Sequence, residues 1–233
     1  MSDLTFTRLG HRQVHAMLAR MDSAFLVKAR CFFGGGTRIV LELGEYRESR
    51  GMDFLCSDRD GYRLLRECVS GASLGPILAP ELTLAREVRA DQYGIRTFIE
   101  HDQIKLKFEI VKEARIEVDG EAIVGIPVAC LTRRHCFAEK LLANADRGLD
   151  ASTLSRDIVD LAFMIEGWSR QDADAGMAMA KMAYGGSVLR SLATVTRKMR
   201  EDKIYRNRCV DGLAISEPKI LSTGIKALAA FKT

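Results

Sequence analysis

Four successive residues, Gly34-Gly35-Gly36-Thr37, stand between an apolar run and a segment with helical spacing. Glycine at such a turn lets the backbone approach a ligand closely, and the N-terminus of the following helix favours an anion. Thr37 adds a hydroxyl. The stretch lacks the Gly-Lys-Ser/Thr ending of a Walker A loop, and Ile39 occupies the place of the third glycine in a dinucleotide fingerprint. Downstream, Gly51-Met52-Asp53-Phe54 reads as a short strand in which Asp53 points away from the face of Met52 and Phe54. Glu109 lies on the polar face of a second strand, where Ile104, Leu106, Phe108 and Ile110 alternate with Lys105, Lys107 and Glu109. Two carboxylates on polar strand faces, near a glycine turn at a helix start, form a candidate site for magnesium and a triphosphate. Simpler assignments stay open for each residue: a strand-end Asp53 that bonds a turn, and a Glu109 that neutralises Lys105 or Lys107.

Other chemistry is less marked. The six cysteines, at 31, 56, 68, 130, 136 and 209, form no CxxC pair and read as buried free thiols rather than a zinc site or a disulfide framework. Net charge is +4, with 18 basic and 19 acidic side chains in residues 1–130 and 17 against 12 thereafter. The excess concentrates between Arg190 and Arg208, where seven basic residues face only Glu201 and Asp202. That stretch is either a solvated helix face or a surface for a phosphate backbone.

Two blocks carry a family resemblance. Phe33-Gly34-Gly35-Gly36-Thr37, continued by Arg47-Glu48-Ser49-Arg50-Gly51-Met52-Asp53-Phe54-Leu55, resembles the signature of polymerase-β-like nucleotidyltransferases and, more closely, of the AbiEii/AbiGii toxins. Glu139-Lys140 through Arg147, followed by Arg156-Asp157-Ile158-Val159-Asp160-Leu161, resembles the helical block of the same family. The likeness spans residues 30–166. It implies a magnesium-dependent transfer of nucleotides from a nucleoside triphosphate to an acceptor, in some relatives the 3′ end of tRNA, and a cognate antitoxin protein as partner. By resemblance, Gly35, Gly36, Thr37 and Ser49 bind the nucleotide, Asp53 and Glu109 bind Mg2+, and Lys140 contacts phosphate. Asp157 or Asp160 completes the catalytic set. One position departs: Gly51 stands where the family carries its first metal carboxylate. Glu48 or Asp58 could stand in if the loops bend suitably. The alternative is a catalytically degenerate member that binds a nucleotide or a protein partner.

These residues need elements to hold them. Helical spacing runs over His11–Arg20, strand character over Phe25–Phe33, helix over Thr37–Leu43, and strand over Gly51–Cys56. A helix follows from Asp58 or Asp60 through Val69. Strand-like runs cover Leu82–Ala90, Ile95–Glu100 and Ile104–Val111. After Pro127 the pattern turns helical, over Thr132–Ala145, from a Ser155 cap to Gly167, and over Asp172–Tyr184, Ser187–Glu201 and Pro218–Phe231. The expected fold is α/β (α+β), a polymerase-β-like mixed sheet with helices over 1–128 and an all-helical domain over 129–233. Composition, 47% apolar and 28% charged, excludes a disordered or fibrous chain. The longest apolar stretch, Ala122–Leu131, falls well short of the roughly 20 residues a membrane span needs. Met1-Ser2-Asp3-Leu4-Thr5 lacks the features of a secretory signal, so a cytoplasmic location with no membrane contact is expected.

Overall fold

The computed structural model describes residues 5–101 and 103–231. They form two compact units. One comprises the chain up to Arg38 with Ser49–Thr132, and the other comprises Ile39–Glu48 with the chain from Arg133 onward. The division falls after residues 38, 48 and 132.

In the first unit, α1 (Leu9–Leu18) and α2 (Ser23–Lys28) precede β1 (Cys31–Gly34) and the start of α3 (Gly35–Glu42). Then come β2 (Met52–Cys56), α4 (Arg59–Cys68), β3 (Thr83–Leu84), β4 (Arg89–Ala90), β5 (Gly94–His101), β6 (Ile104–Lys112), β7 (Gly120–Glu121) and β8 (Cys130–Leu131). Among the described residues these strands form one mixed sheet, ordered β3-β5-β6-β2-β1-β8-β7, with β4 also paired to β5. β2 is antiparallel to β1 and parallel to β6. Side chains at paired positions share a face, so Phe33, Met52, Phe54, Phe108 and Ile110 lie together, all fully buried. The Phe33–Phe54 and Phe54–Phe108 rings are tilted with centroids 5.5 and 5.7 Å apart. Each such pair contributes ~0.5–1.5 kcal/mol beyond its area burial. The opposite face carries Asp53 and Glu109. Arg38 is buried where α3 begins, and its Nε donates to the Leu131 carbonyl at 3.2 Å.

The second unit is helical: α5 (Arg133–Arg147), α6 (Arg156–Gly167), α7 (Arg170–Tyr184), α8 (Ser187–Glu201), α9 (Lys203–Gly212) and α10 (Pro218–Leu228). α5 packs on α6, α7 and α8, and α10 lies on α6 and α8. Residues 39–48 join this unit through backbone bonds from Glu48 to Leu213 (3.1 Å) and from Ser216 to Tyr46 (2.9 Å).

Several sequence expectations need correction. The run 25–33 is not one strand: Asp22 Oδ1 accepts the Phe25 N–H at 2.8 Å and caps α2, and only Cys31–Gly34 is extended. The run 82–90 is two short strands that pair with opposite ends of β5. Cys130–Leu131 is a strand, because Cys130 pairs with Phe33 of β1. Ser155 does not cap α6 with its side chain. It has a left-handed φ of 47°, and its Oγ donates to the Gly148 carbonyl and meets the Tyr205 hydroxyl. The helix α9, unseen in the apolar pattern because Ile204 points to solvent, is capped by Asp202. The cysteines are free, and all except the half-buried Cys68 are buried.

Among the described glycines of the second unit, the tightest is Gly224, where an added Cβ would lie 2.1 Å from the Ala162 carbonyl oxygen. A backbone oxygen cannot step aside as a side chain does. Gly224→Ala is expected to destabilise by ~1–3 kcal/mol through forced separation of α10 from α6. Urea unfolding checks this, with a lowered midpoint and unchanged m as the expected result.

Candidate active site

The cross-strand register builds the site in the first unit. Gly34 pairs with Asp53, and Asp53 pairs with Glu109, so the two carboxylates occupy one row on one sheet face. Gly35, at the start of α3, has φ +66°. A Cβ there would lie 2.6 Å from Asp53 Oδ2, so this position requires glycine both for its backbone and for the carboxylate packed against it. Thr37 Oγ and Ser49 Oγ lie 2.7 Å apart. Gly35, Gly36 and Thr37 form the first turn of α3, whose leading N–H groups have no partner within the helix. The outcome is a helix start, a hydroxyl pair and two carboxylates in one unit.

The electrostatics of the carboxylates differ. Asp53 is about a third exposed (32%), and Lys107 Nζ stands 4.0 Å from its Oδ1. Glu109 is less exposed and accepts from Arg96 Nε at 2.7 Å and from Lys107 Nζ. Burial alone would raise the Glu109 carboxyl, but Lys107 and Arg96 outweigh it and hold the group below the ordinary value. An added Cβ at Gly51 would point at Asp53, 3.3 Å from its Oδ2. An acid at position 51 would therefore enter beside Asp53. Asp58 is engaged elsewhere, as the cap of α4 that accepts the Gly61 N–H at 2.6 Å, and Glu48 belongs to the second unit.

Magnesium usually takes one or two carboxylates and completes its shell with phosphate oxygens and water. Asp53 and Glu109 match that set. Among the described residues, no three His, Cys, Asp or Glu side chains converge to hold a metal ion by themselves. The donor set thus fits a cation that arrives with a triphosphate rather than one held by the protein alone.

Lys140, Asp157 and Asp160 meet in the second unit, all buried. Lys140 Nζ donates to Asp157 Oδ1 at 2.9 Å and lies 2.7 Å from Asp160 Oδ2. Arg47 forks onto Asp160, Nε to Oδ1 at 2.6 Å and Nη2 to Oδ2 at 2.8 Å, and the Tyr46 hydroxyl donates to Oδ1 at 2.6 Å. Arg147 forks onto Asp157 at 2.7 and 3.1 Å. Tyr46 also stacks on Phe163, with centroids 3.9 Å apart. Burial would raise both carboxyls. The opposing charges of Lys140 and Arg147 at Asp157, and of Arg47 and Lys140 at Asp160, drive both below the ordinary range. Sequence reasoning assigned no part to Tyr46, Arg47 or Arg147, and offered Lys107 only as a charge for Glu109 to neutralise, a pair the structure contains. Arg47 stood inside the first motif, and Lys107 shared the polar face of its strand with Glu109.

The sequence model described as nucleotidyl transferase AbiEii toxin, type IV toxin–antitoxin system, matches residues 16–211. The chain belongs to the AbiEii family. The fold is similar to that of a candidate nucleotidyltransferase from H. pylori, at 15% identity and TM-score 0.55, covering 97% of this chain and 96% of that one. It is also similar to JHP933 from Helicobacter pylori, at 15% identity and TM-score 0.53, covering 97% and 94%. We found no curated protein that matches the chain in sequence. The AbiEii match takes in Gly35, Asp53, Glu109 and the Lys140–Asp157–Asp160 cluster together. No helix among the described residues is long and apolar enough to cross a membrane.

The buried cluster of this AbiEii protein generates a stability prediction. Asp160→Asn removes a charge that faces Arg47 and Lys140 and is expected to cost ~3–5 kcal/mol. Asp157 and Asp160 titrate below their unfolded value of about 3.9, so their stabilisation is complete above about pH 5 and fades as pH falls through the acid range. Denaturant unfolding from pH 7 down to pH 3 checks this. The wild type is expected to lose stability with acid, and Asp157→Asn, already less stable at pH 7, to lose less.

Proposed function

We propose that this AbiEii-family chain is a nucleotidyltransferase toxin that acts in the cytoplasm and moves nucleotides from a nucleoside triphosphate onto an RNA acceptor, the 3′ end of tRNA. In this reading a cognate antitoxin protein restrains it. The observation that carries the reading is the Asp53 carboxylate packed against Gly35 at the first turn of α3, with Glu109 beside it in register.

Each residue then has a task its chemistry suits. Gly35 and Gly36 bring the α3 N–H groups to the phosphates, and Thr37 and Ser49 offer hydroxyl donors. Asp53 and Glu109 hold the Mg2+ that accompanies the triphosphate. When bound, the cation offsets the phosphate charge that would otherwise repel these acids. Lys107 and Arg96 keep Glu109 ionised. Lys140, Asp157 and Asp160 brace the helical unit, each acid held by buried ion pairs. Asp160 already accepts from Tyr46 and twice from Arg47 and faces Lys140, and a carboxylate so occupied is a poor base for an attacking hydroxyl.

An acceptor with a phosphate backbone fits the basic surface. Arg190, Arg197, Arg200, Lys203 and Arg208 are exposed on α8 and α9. Arg206 instead caps the end of α8, donating to the Met199 and Arg200 carbonyls. Lys198 lies over the Tyr205 ring.

A second reading, a non-catalytic member that binds nucleotide or a protein partner, is favoured by Gly51 alone. Transfer from labelled triphosphates to total RNA, with wild type, Gly51→Asp and Asp53→Ala side by side, separates the two. The enzyme reading expects activity in wild type, a gain in Gly51→Asp and background in Asp53→Ala. Activity confined to Gly51→Asp supports the second reading. Silence in all three, without magnesium-dependent triphosphate binding, defeats the nucleotide site. For the acceptor, alanine at Arg197, Arg200 and Arg208 is expected to flatten the salt slope of RNA binding by about 2, at roughly 0.7 per single-strand phosphate contact. An unchanged slope returns these residues to a solvated face.

A further inference from the structure

The first unit encloses a histidine that neither the family motif nor the reading above uses. His11 lies on α1 and is fully buried. Its Nε2 accepts the backbone N–H of Ser49 at 3.2 Å. An imidazole nitrogen accepts only when it carries no proton, so the proton of this neutral ring is on Nδ1. Ser49 stands outside every helix and strand, so no ladder or helical bond holds its N–H. Its Oγ in turn lies 2.7 Å from Thr37 Oγ, and Thr37 is buried in the first turn of α3. These contacts form a chain from α1 through Ser49 to the helix start.

We propose that His11 is a positioning residue for triphosphate binding, holding Ser49 so that its hydroxyl and that of Thr37 meet the incoming phosphate together. The proposal rests on the nucleotide reading of the same site. The residue type suits the task. A serine hydroxyl rotates freely, so its reach is set by where the backbone is fixed. A carboxylate could also accept the Ser49 N–H, but it would add negative charge beneath a polyanion. Neutral imidazole supplies the acceptor without that charge.

Two substitutions separate the roles. His11→Leu keeps bulk and removes the acceptor, whereas His11→Gln keeps an acceptor of similar reach. Two readouts are taken on the full chain: hydrogen exchange of the Ser49 amide by NMR, and affinity for a fluorescent ATP analogue with magnesium, against adenosine as the phosphate-free control. His11→Leu is expected to speed Ser49 exchange and weaken triphosphate binding, each by about tenfold or more, the equivalent of one hydrogen bond. Adenosine binding is expected to stay as in wild type, and His11→Gln to restore both readouts to within about threefold. Should His11→Leu not fold, His11→Asn, whose acceptor falls short of Ser49, takes its place. Unchanged Ser49 exchange overturns the bond. Faster exchange with unchanged triphosphate affinity overturns the positioning role. A wild type that binds no triphosphate, while Ser49 exchange still responds to His11, overturns the nucleotide reading and the role with it, and leaves the bond standing.

Discussion

A carboxylate removed from water must have its oxygens bonded, because an unpaired buried charge costs several kcal/mol. Asp160 imposes that demand within the second unit. Its partners are Lys140 on α5 and, from more than 110 residues away in sequence, Tyr46 and Arg47. Meeting the demand groups residues 39–48 with the helices, although they follow a strand of the sheet. Asp157, one turn earlier, repeats the arrangement with Lys140 and Arg147. The two family-like sequence blocks are thereby joined by a bidentate ion pair, Arg47 from the first and Asp160 from the second.

The sheet unit handles charge differently. Asp53 and Glu109 lie on the face opposite a fully buried aromatic row, and neither is sealed. Their partners Lys107 and Arg96 are themselves substantially exposed, so the ion pairs are screened and exchangeable. Carboxylates of this kind can trade a side-chain ammonium for another cation at small cost. Those of the helical cluster cannot, since removing any partner strands a charge in the interior. This contrast separates acids suited to ligand chemistry from acids suited to holding the chain together.

Gly51 is the point at which fold and chemistry part. The backbone there directs an added Cβ towards Asp53, 3.3 Å from its Oδ2, so a second acid would enter beside the first only as the Asp53 side chain gives by a few tenths of an ångström. Without it, two carboxylates face Lys107 and Arg96, and the local charge is one unit less negative than three acids would give. In the proposed reading a hard cation would depend more on the phosphate oxygens that accompany it.

Local chemistry in the sequence determined the glycine turn before α3, the short strand that carries Asp53, and the alternation that puts Glu109 on the polar face of β6. It also determined most helices beyond residue 132, because each depends on spacing within a few turns. The resemblance of two ordered motif blocks reached the family itself. Only the tertiary structure decided that β2 and β6 are parallel neighbours with Asp53 opposite Glu109, since strand pairing and register depend on residues far apart in the chain. The same holds for the short strands β3, β4 and β8, which have too few residues for any period and exist only through their partners. Asp157 and Asp160 were legible as sharing one helix face, but their ion pairs with Lys140, and the saturation of Asp160 by Tyr46 and Arg47, were not. A spacing of three on a helix fixes which side chains share a face, whereas what meets that face is decided by long-range packing.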